Sequence, residues 1–69
     1  MSVLIMSQLS HFAKYVAEKI YEYPCLKDEI DAIFWMAKDS IQEGESEFNE
    51  IELAKKDIEE LIQLHNNEL

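Results

Sequence analysis

One proline and one glycine, Pro24 and Gly44, divide the 69 positions into three stretches of comparable length, each with apolar residues at helical spacing. Proline has no N–H to give a helix and pushes the residue before it away from helical geometry. Glycine supplies the left-handed residue on which helices commonly end. Two breaks in a chain otherwise free of strong helix breakers therefore leave room for three helices and little else.

In the first stretch Leu9, Phe12, Ala13, Val16, Ile20 and Tyr23 follow a 3.6-residue period. The spacing predicts a helix over about 7–23, with Ser7 or Ser10 as N-cap. Ile5 falls on the same stripe, which would place the start nearer Ser2. The second helix is expected over about 27–43, with Leu26, Ile30, Ile33, Phe34, Ala37 and Ile41 on one face. Asp28 and Glu29 favour its N-terminal dipole, and Gly44 stands just past its end. In the third, over about 49–66, Asn49 and Glu52 have the spacing of a capping box, with Phe48 and Leu53 as its hydrophobic staple. Ser46 is the competing cap. Ile51, Ala54, Ile58, Leu61, Ile62 and His65 form the stripe.

Three such helices joined by short turns make a small all-α, antiparallel three-helix bundle. A helical hairpin completed by dimerisation is the alternative. The expected core is Phe12, Val16 and Ile20 with Ile30, Ile33, Ala37, Ile58, Leu61 and Ile62. A single core this small supplies only about 3–5 kcal/mol, which keeps self-association open as a way to complete it.

Fifteen acidic residues against six lysines and no arginine give a net charge of −9. Such a polyanion is repelled by phosphate backbones and lacks the guanidinium forks that read them, so direct nucleic-acid binding is not expected. The longest apolar runs, Val3–Met6 and Ala32–Ala37, are far below the roughly 20 residues of a membrane helix. Met1–Met6 has no basic residue before it and is ended by Ser7 and Gln8, so no export signal is read there. The chain reads equally well from Met6. A single cysteine, Cys25, asks for no oxidising compartment, and a cytoplasmic location is expected.

Few constellations carry chemistry. Asp39, Glu43, Gly44, Glu47 and Glu50 fall on positions 1, 5, 6, 9 and 12 of a calcium loop, but Ile41 occupies position 3, which must offer oxygen. Glu47-x-x-Glu50 and Asp57-x-x-Glu60 have the spacing of the magnesium-holding pairs of all-helical nucleotide pyrophosphohydrolases. Here both pairs lie on one continuous segment and cannot face each other across a metal. His11 and His65 have no second ligand at i+3 or i+4. Cys25 has no histidine near it in sequence and is expected to be a small buried hydrophobe. No catalytic residue, cofactor or metal site is therefore assigned.

Trp35 stands on the polar side of the second helix, among Asp31, Lys38 and Asp39, and Leu53 and Leu64 stand off the stripe of the third. Tyr15 and Tyr21 do the same on the first. Large apolar side chains off the core stripe point to a second buried surface, a self-interface or a protein partner. Chain before Ser7 folding back over Trp35 is the intramolecular alternative. Glu43, Glu45, Glu47 and Glu50 form an acidic patch without a compensating base. The leading expectation is a non-enzymatic protein acting by contact through an apolar face that includes Trp35. The alternative is an acidic decoy that occupies the basic surface of a nucleic-acid-binding protein, as a phage-encoded anti-defence or regulatory protein would.

Overall fold

The computed structural model describes the backbone of residues 2–68 and the side chains of residues 8–68. Three helices, α1 (Ser2–Glu22), α2 (Lys27–Gln42) and α3 (Glu47–Asn67), each pack against the other two. No strand occurs among the described residues. Fold class and helix number are those the two breaks predict, and the core closes within one chain.

At the first break α1 ends at Glu22, and a short 3₁₀ turn, Pro24–Leu26, leads into α2. Proline sits at the first position of that turn, where a missing N–H costs nothing. At the second break Gly44 takes φ +109, the only positive φ among the described residues. The Glu45 N–H donates to the Ser40 carbonyl at 3.0 Å and the Gly44 N–H to the Ile41 carbonyl at 3.1 Å. These two bonds are the Schellman closure, which satisfies carbonyls that the end of α2 would otherwise leave unpaired.

The start of α3 corrects the expected cap. Ser46, not Asn49, is the N-cap: its backbone is extended, its carbonyl accepts from the Glu50 N–H at 2.9 Å, and its Oγ accepts from the Asn49 N–H at 3.4 Å. The Schellman turn ends at Glu45, so the chain is free to begin a helix immediately, three residues earlier than a cap at Asn49 allows. Phe48 is then a helical residue open to solvent, and neither the capping box nor the staple forms. At the start of α1 the alternative near Ser2 holds in place of a start at residue 7. The helix begins at Ser2, so Ser7 and Ser10 are interior positions and not caps. Side chains of Ile5 and the residues around it lie outside the described residues, as does any contact they make with Trp35.

Phe12, Val16, Leu26, Ile30, Ala37, Ile51, Ala54, Ile58 and Ile62 form the core, with Phe12, Ile30 and Ile58 almost wholly enclosed. Ile20, Ile33 and Leu61, expected among them, are half-buried at its margin. Ala13 is exposed, because α1 is turned so that Tyr15 and not Ala13 flanks Phe12 against the other helices. Phe12 meets Phe34 of α2 at a ring-centroid separation of 5.4 Å, which ties α1 to α2. No buried side-chain N or O atom among the described residues lacks a partner. No described helix is long and apolar enough to cross a membrane.

Candidate interaction surface

A three-helix bundle gives every helix an inner face and leaves side chains beyond that face uncovered. On α2 the core stripe is Ile30, Phe34, Ala37 and Ile41, and position 35 is roughly 100° further round than Phe34. Trp35 is accordingly 53% exposed. The edge of Phe34 meets it at 5.9 Å between centroids, and Lys38 Nζ lies 4.7 Å from the ring centre. Lys38 and Asp31 are half-buried and Asp39 is exposed. Of the expected rim, Lys38 stacks on the indole as a cation–π contact, and Asp31 and Asp39 stand four residues to either side of Trp35 along the helix.

Leu53 and Leu64 do not join Trp35. Leu53 is 58% exposed and faces a cleft between α2 and α3, with Met36, Ile33 and Asp57. Leu64 is exposed further along α3, among Glu60, Gln63 and Asn67. Met36, 69% exposed, is a residue that sequence reasoning left out. Its position next to Trp35 carries no separate signal in sequence, although adjacent helical residues point about 100° apart and Met36 lines the α2–α3 cleft.

The acidic patch is also divided. Glu43 closes α2 and Glu45 lies in the turn, both exposed. Glu47 and Glu50 are half-buried in the first turn of α3, where the helix dipole favours them. Among the described residues no group of three or more carboxylates, thiols or imidazoles converges as a metal site.

Two contacts were not legible in sequence. Cys25 is exposed, which corrects its expected burial, and its Sγ lies 3.8 Å from Nε2 of His65, forty positions away. Antiparallel packing brings the last turn of α3 beside the Pro24–Leu26 turn, where the Tyr23 ring also meets His65 edge-on at 6.0 Å. The second contact is Tyr15, half-buried, whose phenol donates to the Glu59 carboxylate of α3. Burial first, and then the Glu59 carboxylate as acceptor and as charge, raises the Tyr15 phenol well above its ordinary range. Lys19 and Lys55 each place Nζ 5.4 Å from the same ring. An amphipathic pattern cannot register such a residue, because its apolar ring is covered while its hydroxyl is used.

No family of known proteins matches the chain, and no curated protein or solved structure does so either.

Proposed function

We propose that this is a non-enzymatic protein that acts by contact, docking a protein partner or a second copy of itself through apolar side chains that its own core does not use. The observation that carries this reading is Trp35. A large ring left half in water after all three helices have packed, rimmed by Asp31, Lys38 and Asp39, has the composition of an interface anchor. Its energy would come from removing the indole from water in a partner's pocket.

Trp35→Ala tests it. Helical circular dichroism and stability should stay within about 1 kcal/mol of the parent, while self-association or capture of a partner weakens by about 2 kcal/mol or more. Unfolding of the dilute variant would place Trp35 in the subunit core and remove the anchor. Glu43 and Glu45 favour a second reading, because both face solvent with no ion pair among the described residues. A complex made by such an acidic decoy would weaken steeply as salt is raised, whereas an indole-anchored one would not.

A further inference from the structure

The α2–α3 hairpin has a groove on the side away from α1. Its described lining comes from α2 and α3 alone: Ile33, Met36, Ala37 and Ser40 from one wall, Glu50, Leu53 and Asp57 among those from the other. The cleft holds about 190 Å³, below the roughly 300–1,000 Å³ of small-molecule sites and enough for one or two side chains. Ala37 and Ala54, both buried, put only methyl groups at its floor. Met36 and Leu53 rise beside it as largely exposed apolar walls. Glu50 and Asp57 stand seven residues apart on α3, two helical turns, with Leu53 between them. No lysine stands among its described lining residues.

We infer that this groove takes an amphipathic helix of another protein, with a large apolar side chain seated over Ala37 and Ala54 and basic side chains two turns apart reaching Glu50 and Asp57. The inference rests on the contact function proposed above and assigns it a second surface, distinct from Trp35. Charge decides the occupant. A second copy would bring Glu50 and Asp57 against another chain carrying −9, while a basic helix neutralises both carboxylates as its apolar face covers Met36 and Leu53. Helix in groove also matches the geometry, since a fourth helix lying there would see the same two-helix seam that α1 covers on the opposite side.

The probe is a synthetic leucine–lysine peptide of about 14 residues, with leucines at i, i+3, i+4 and i+7, titrated into the ¹⁵N-labelled full chain. A peptide of the same composition in scrambled order serves as control. Amide shifts should centre on residues around Ile33, Met36 and Leu53, and the scrambled peptide should bind at least about tenfold more weakly. Leu53→Glu and Met36→Glu are the deciding variants, because each makes the chain more acidic. Attraction of a cation to a polyanion would then grow, whereas docking in an apolar groove should weaken about tenfold or more. Both positions are exposed, so either variant serves if the other misfolds. Glu50→Gln with Asp57→Asn should weaken binding about threefold or more and flatten its salt dependence, and Trp35→Ala should leave it within about twofold. No binding, binding undiminished in the glutamate variants, or a largest shift at the side-chain indole N–H of Trp35 would overturn the groove. Dimerisation of the chain alone through this face, abolished by Leu53→Glu, would overturn it too. The Trp35→Ala capture experiment is unaffected by any of these results, so the contact function and the groove fail separately.

Discussion

The α2–α3 hairpin has two long faces, and only one of them is covered. On the α1 side the seam is closed by Phe12 against Phe34, by Val16, and by the Tyr15 phenol on Glu59. On the other side Met36 and Leu53 stand largely in water over a floor of alanine methyls. Both faces are built from the same two helices. What separates them is side-chain size at the floor and the presence of one helix, so the covered face stabilises the fold and the bare face leaves apolar side chains in water.

The sharpest way to break this comparison is to remove the side chain that closes the covered face. Phe12→Ala should cost about 3–5 kcal/mol, enough to unfold most of the population, as read by thermal or urea denaturation. A midpoint close to that of the parent would mean that α1 is not the cover. Gly44→Ala should cost about 1–2 kcal/mol, because φ +109 is a conformation that a Cβ resists, even though the space around that position is open. A small loss there would show that the turn between the two faces can close by another route.

Tyr15→Phe should cost about 1 kcal/mol, the worth of one partly exposed hydrogen bond to a carboxylate. Its pH dependence gives a second reading. The folded phenol is held above its unfolded value, so its contribution is fully present below about pH 10 and is lost as pH rises beyond that. Parent and variant should therefore converge in stability above about pH 10, and parallel pH curves would dismiss the link between α1 and α3. The smallest effect belongs to the bare face. Met36→Ala and Leu53→Ala should stay within about 0.5 kcal/mol of the parent, and a larger loss in both would show that the groove is part of the core.

Much of the fold was legible because period and punctuation are local. The stripes of α2 and α3 predicted from spacing are those that pack, and Gly44 ends α2 as its position required. The candidate surface was only partly legible. Trp35, Leu53 and Leu64 were recognised as off-stripe, but a stripe says which residues miss the core, not which of the remainder stand together. Met36 had no separate signal, and Cys25 with His65 had none at all.

The sequence by itself determined three helices, where they break, and which side of each is apolar, since helical period, proline and glycine act within one or two turns of chain. Only the tertiary structure decided that Tyr15 reaches Glu59, that Cys25 meets His65, and that Trp35 and Leu53 look into different solvent. Each of these depends on how one helix is rotated against another, and that rotation is fixed by packing across the core, where residues forty positions apart come within contact.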